Sequence, residues 1–156
     1  MSSLEQDLSR ALAELQALER ILSDLQGRVE ILRTLLSEYD GALALLDELK
    51  EKGSKVNMLI PIGGGNFIQA EVKKIEDVHV SLGAGVVMRQ PLKESYDLIK
   101  KRREQISATI RSHEETIANY SQRAEELRKI IQALYARLAE RRKAGGQGKG
   151  REEPPR

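Results

Sequence analysis

The stretch "VNMLIPIGGGNFIQAEV", Val56 to Val72, decides the fold. On both sides the chain is rich in Leu, Glu, Lys and Arg and reads as long helix. Here it turns β-branched and Gly-rich, with Pro61 in its middle. Val56, Met58, Ile60 and Ile62 alternate with Asn57, Leu59 and Pro61, the period of a strand with one apolar face. Gly63-Gly64-Gly65-Asn66 supplies the positive φ angles of a tight turn, and Phe67 and Ile68 through Val72 form a return strand. Pro61 has no N–H to give to a ladder, which makes its strand an edge there. The pattern then recurs: Val78, Val80 and Leu82 point one way, Gly83-Ala84-Gly85 turns, and Val86 to Arg89, through Met88, returns. Two β-hairpins in series are expected.

Outward from this segment the period changes. From Leu4 the apolar positions run Leu8, Ala11, Leu15, Leu18, Leu22, Leu25, Val29, Leu32, Leu36, Tyr39, Leu43 and Leu46, in steps of four and three without a miss. This is a heptad seam, which makes a helix supercoil around a partner. Ser2 with Glu5 forms a capping box at its start, and Gly53 suits its C-terminal cap. A second seam runs from Leu92 through Tyr96, Ile99, Arg103, Ile106, Ile110, His113, Ile117, Tyr120, Ala124, Leu127, Ile131 and Leu134 to Leu138. Pro91 marks its start. Arg103 and His113 are its polar members. The ordinary readings are that Arg103 snorkels or sets register and that His113 sits half-exposed at the seam.

The Gly and Pro between the runs forbid a continuous helical path, so the arms fold back on each other. The fold class is α+β, mainly α: a long antiparallel two-helix coiled coil with two β-hairpins between its helices. Residues 1–52 form the N-terminal helix, 53–91 the hairpins and 92–143 the C-terminal helix, while 144–156 form a disordered basic, Gly-rich tail. Two hairpins alone do not hold in water, and both helices are expected to leave them without covering their apolar faces. Their edges are open as well. Strands from several chains are therefore expected to close into a shared, oligomeric β-barrel.

Composition agrees. The 156 residues include one Phe, four Tyr and no Trp, too few aromatics for an ordinary globular core, and 32% are charged, as in long helices. The net charge is +2, but Arg128–Arg156 holds nine Lys/Arg against three Glu, leaving −4 for the rest. With no cysteine there is no disulfide and no thiolate site. The opening MSSLEQDLSR has no apolar signal-peptide core and no run approaches membrane-spanning length, so a cytoplasmic protein with no membrane partner is expected.

No catalytic site is found. The two Gly-rich turns follow strands but precede strands, so no helix N-terminus is present to cradle a phosphate. No cofactor is expected, and no metal, because His113 and His79 are far apart in sequence. The chain is read as a non-enzyme. The patch Arg137, Arg141, Arg142 and Lys143 complements a helix C-terminal dipole, the plainest reading. It also suits docking to an acidic partner. A nucleic-acid role is disfavoured, because the patch lacks interleaved aromatics.

With "VNMLIPIGGGNFIQAEV", the spacer "KKIED" and "VHVSLGAGVVMRQPLKES" set between two coiled-coil helices, the chain resembles the alpha-class prefoldin subunits, the archaeal form in particular. The resemblance covers residues 1 to about 143. It implies an ATP-independent molecular chaperone, a holdase. Two alpha-class and four beta-class subunits would build a hexameric double barrel bearing six tentacles. Unfolded client proteins would be gripped at the tentacle tips and delivered to a group II chaperonin. The tip residues are then Leu4, Leu8, Ala11, Leu12 and Leu15 opposite Ile131, Leu134, Tyr135 and Leu138. Heptads have apolar seams everywhere, so sequence alone leaves these as ordinary seam residues, and the resemblance favours client binding. Leu12 and Tyr135, off the strict seam, are the expected exposed members. The rival reading is a structural, scaffolding coiled-coil oligomer with one dedicated partner.

Overall fold

The computed structural model describes residues 3–53 and 55–146. Its elements follow in the order α1 (Ser3–Lys52), β1 (Val56–Gly63), β2 (Asn66–Val72), β3 (Asp77–Gly83), β4 (Val86–Pro91) and α2 (Leu92–Gly146). This is the expected architecture of two long helices with two antiparallel hairpins between them. Helix α2 runs past the expected end at Lys143, taking Ala144 to Gly146 from the segment assigned to the tail. Ser2 and residues 147–156 lie outside the described residues. Gly53 follows α1 at φ 59°, the left-handed conformation of a helix C-cap.

The heptad reading holds along both helices. Every α1 seam position from Leu4 to Leu46 is buried or half-buried, and so is every α2 position from Leu92 to Leu138 except Tyr120. The chain divides into two compact units, Met1–Glu30 with Ser112–Arg156, and Ile31–Arg111. The core of the first unit is Ala11, Leu127 and Ile131, with Leu8, Leu12, Leu15 and Leu18 packed against it. Arg123 bonds Glu14 at 2.8 Å and Arg128 bonds Glu19 at 3.0 Å, so charges flank the apolar seam.

In the second unit Arg103 Nε lies 2.7 Å from Asp40 Oδ1, and the Tyr96 hydroxyl donates to Asp47 at 3.1 Å. As α1 advances from Asp40 to Asp47, α2 retreats from Arg103 to Tyr96, so the helices are antiparallel there. Arg103 is half-buried at the seam and its guanidinium reaches the surface to pair with Asp40. The bond to Asp47 holds the Tyr96 phenol above its ordinary range, and the Lys50 ammonium sits 4.6 Å from the ring centroid.

The hairpins form two separate two-stranded sheets. In the first, Ile60 pairs with Ile68 and Pro61 with Phe67; in the second, Val80 pairs with Met88 and Ser81 with Val87. The pairs from Asn57–Glu71 inward thus have counterparts twenty positions later, beginning with Asp77–Pro91. Backbone angles repeat too: φ is 97°, 59° and 78° at Gly63, Gly64 and Gly65, and 97°, 49° and 78° at Gly83, Ala84 and Gly85. Ala84 therefore holds a left-handed conformation that its counterpart Gly64 adopts freely, at a cost of about 1–2 kcal/mol for an L side chain. Ala84→Gly is expected to stabilise the second hairpin by about 0.5–1 kcal/mol, once glycine's greater unfolded-state entropy is subtracted. Thermal melting of the assembled protein checks this, and an unchanged or lowered midpoint contradicts it.

One expectation is corrected here. The second hairpin is covered within its own chain at Val80, while Leu82, Val86 and Met88 stay open. Val80 is only 4% exposed, and residues 79–83 of β3 border a cavity whose other walls are Glu38, Tyr39 and Ala42 of α1 and Ile99 and Arg102 of α2. Two backbone ties hold β4 and the spacer to the first turn of α2. Leu92 N–H donates to the Glu76 carbonyl at 2.9 Å, and the fully buried Ser95 hydroxyl donates to the Gln90 carbonyl at 3.2 Å. Alternation in β3 announces a buried face, but it does not say that the covering layer comes from flanking helices.

Candidate interaction surfaces

The first hairpin carries open apolar surface on both sides of its ladder. Met58, Ile60, Ile68 and Ala70 share one face through the pairs Ile60–Ile68 and Met58–Ala70. Met58, Ala70, Val56 and Val72 are half-buried, whereas Ile60 is 39% exposed and Ile68 is exposed beside it. On the opposite face Leu59 is 65% and Phe67 58% exposed, with Ile62 open at the turn. In the second hairpin Leu82, Val86 and Met88 are exposed, Val78 is half-buried and Val80 is covered. Eleven of the twelve expected assembly residues thus keep open surface, and Val80 instead anchors its hairpin to α1 and α2. Leu59 and Val87 are exposed as well, on the face that strict alternation assigns to solvent.

An exposed apolar strand face of this kind is rare on a monomer, where side chains worth about 1.5–3 kcal/mol each are normally buried. The outer face of the second hairpin differs. There Arg89 Nε bonds Asp77 Oδ2 at 2.8 Å, where the first hairpin has the neutral Gln69 and Asn57. Charge therefore keeps that face of the second hairpin solvated. Helix α1 adds an apolar surface in the same unit, with Ile31 70% exposed and Leu35 and Leu45 also open.

In the first unit the expected tip residues fall into two groups. Ala11 and Ile131 are buried in the core, so they hold the helices together and offer little surface. Leu4, Leu8, Leu15, Leu134 and Leu138 are half-buried. Tyr135 is 54% exposed, as expected, whereas Leu12 is half-buried against the core cluster, contrary to expectation. Ile130, one turn from Leu134, is exposed and was missed because it lies off the seam. Arg137, Arg141, Arg142 and Lys143 are all exposed on α2. His113 is half-buried at the seam, and among the described residues no group of three or more His, Cys, Asp or Glu is placed to hold a metal ion. No described helix is long and apolar enough to cross a membrane.

Two long helices joined through two short antiparallel hairpins are an arrangement shared with known proteins that match the chain. The family model described as "Prefoldin subunit" matches residues 18–137. The chain belongs to the prefoldin family, a family of chaperones, and within it to the alpha class. It is 26% identical over 121 residues to prefoldin subunit alpha of Methanosarcina barkeri, covering 76% of this chain and 84% of that protein. It is 35% identical over 103 residues to prefoldin subunit alpha of Methanopyrus kandleri, covering 66% of each. Among solved structures, the cryo-EM structure of filamentous PFD from Methanocaldococcus jannaschii shares the fold. Its TM-score is 0.61 at 22% identity, over 74% of this chain and 95% of that one.

Proposed function

We propose that the chain is one subunit of a cytoplasmic, ATP-independent holdase that binds non-native proteins at the ends of its helix pair and passes them to a group II chaperonin. Two such alpha-class chains join four beta-class subunits, each bringing strands to complete the sheets that one chain leaves open. The observation that carries this reading is the open apolar surface of the first hairpin, at Ile60 and Ile68 on one face and Leu59 and Phe67 on the other, in a chain of a chaperone family. No cofactor and no catalytic step are needed. Grip comes from apolar contact, weak at any one end because only a few side chains at about 25 cal/mol per Å² are available there. Several ends on one body raise the effective affinity by about 10²- to 10⁴-fold through linkage, and weak single contacts permit release without nucleotide.

The test is made at Ile130 and Tyr135, which are exposed and so removable without cost to the core. The assembled complex carrying Ile130→Ser with Tyr135→Ser is expected to lose most of its suppression of aggregation of several unrelated denatured proteins, at unchanged helicity and mass. Full suppression by that variant would contradict capture at this end.

A further inference from the structure

The second hairpin carries a device that its role as a platform does not explain. Side chains alternate across a strand, so five successive β3 residues, 79–83, border one cavity only along the strand's edge, where both faces meet. That edge has no strand beside it, since β3 pairs with β4 alone. Into this slot α2 sends Arg102, half-buried, whose guanidinium donates to the Ser81 carbonyl at 2.5 Å.

The twenty-residue repeat gives the contact its meaning. Ser81 pairs with Val87 as Pro61 pairs with Phe67. Proline is tolerated within a ladder only where its missing N–H would have pointed away from the paired strand. Pro61 therefore sits at an outward-facing position of β1, and Ser81 occupies the same position of β3. In an antiparallel pair of this type both backbone groups of the residue face outward. An open outward-facing edge is a template for any passing strand, and charge or proline at the edge is the usual protection. One hairpin is blunted at this position by Pro61. The other is blunted by a charged side chain holding the equivalent carbonyl.

We propose that Arg102 guards the free edge of β3 in the unassembled chain, filling the slot with charge until a strand from a matching prefoldin subunit displaces it. The inference rests on the reading that other chains complete the sheet, but it concerns the isolated chain and is independent of client capture. A removable guard suits a position that must first refuse indiscriminate strands and then accept a particular one. Proline at this position is permanent; an arginine bond can be exchanged.

The experiment uses the purified full chain without partner subunits. Arg102→Met keeps the apolar stem and removes the donors, and far-UV circular dichroism checks that helicity is retained. Arg102→Met is expected to self-associate, with a rise in mean mass by light scattering and a several-fold increase in thioflavin T fluorescence over wild type. Adding Ser81→Pro, which copies the block at Pro61, is expected to return both signals to wild-type level. The proposal is overturned if Arg102→Met keeps wild-type mass and fluorescence. It is equally overturned if the double variant self-associates as much as Arg102→Met, since the edge is then not the route. A variant with lowered melting temperature and no gain in self-association would make Arg102 a structural anchor only, which also overturns it.

Discussion

Truncating Leu127 to alanine is expected to destabilise the helix pair of the first unit by about 2–5 kcal/mol, the range for large-to-small changes in a well-packed core. Leu127 is 2% exposed and touches the cluster of Ala11 and Ile131 that Leu8, Leu12, Leu15 and Leu18 surround. Among the described residues of this unit the buried apolar side chains lie on the seam, so a cavity there has few neighbours able to collapse into it. The neighbouring exposed Ile130→Ala is expected to change stability by no more than about 0.5 kcal/mol. Denaturant unfolding followed by circular dichroism measures both. Equal effects of the two substitutions would contradict the packing described here.

The second large effect belongs to the sheet. Ile60→Asp with Ile68→Asp places two carboxylates opposite each other on the open face of the first hairpin. If a partner chain buries that face, the loss is about 1.5–3 kcal/mol per side chain, or about 10²- to 10⁴-fold in association for the pair. Helicity is expected to stay at wild-type level, because neither residue lies on a helix. Sedimentation of the chain mixed with a beta-class subunit reads the outcome as free subunits in place of complex. Undiminished complex formation would show that this face is not buried in the assembly.

The helices were fully legible because a supercoil demands an apolar residue at each step of three or four, and a run from Leu4 to Leu46 without interruption has few other physical explanations. Hairpin boundaries were legible for a related reason, since Gly63, Gly65, Gly83 and Gly85 sit where positive φ is required. What covers each face was not legible. The same alternation appears in β1 and β3, yet Val80 is buried beside a cavity lined by Tyr39, Ala42 and Ile99 while Ile60 is open. Period two identifies a face and is silent about its partner. The same limit applies to Leu12 and Tyr135. Each follows a seam residue, and only packing beside Leu127 and Ile131 covers one and leaves the other open. Salt bridges such as Asp40–Arg103 were invisible for another reason: they join residues distant in sequence whose register the heptad alone leaves free.

The claim underlying this account is that no single chain completes its own sheet. Its most direct test is the native mass of the purified chain, measured alone and after mixing with a beta-class subunit. Completion by neighbours predicts a discrete complex of two alpha and four beta chains in the mixture, with the strand amides protected from hydrogen exchange only there. A stable monomer in both samples, with β1 and β2 amides already protected in the free chain, would contradict it.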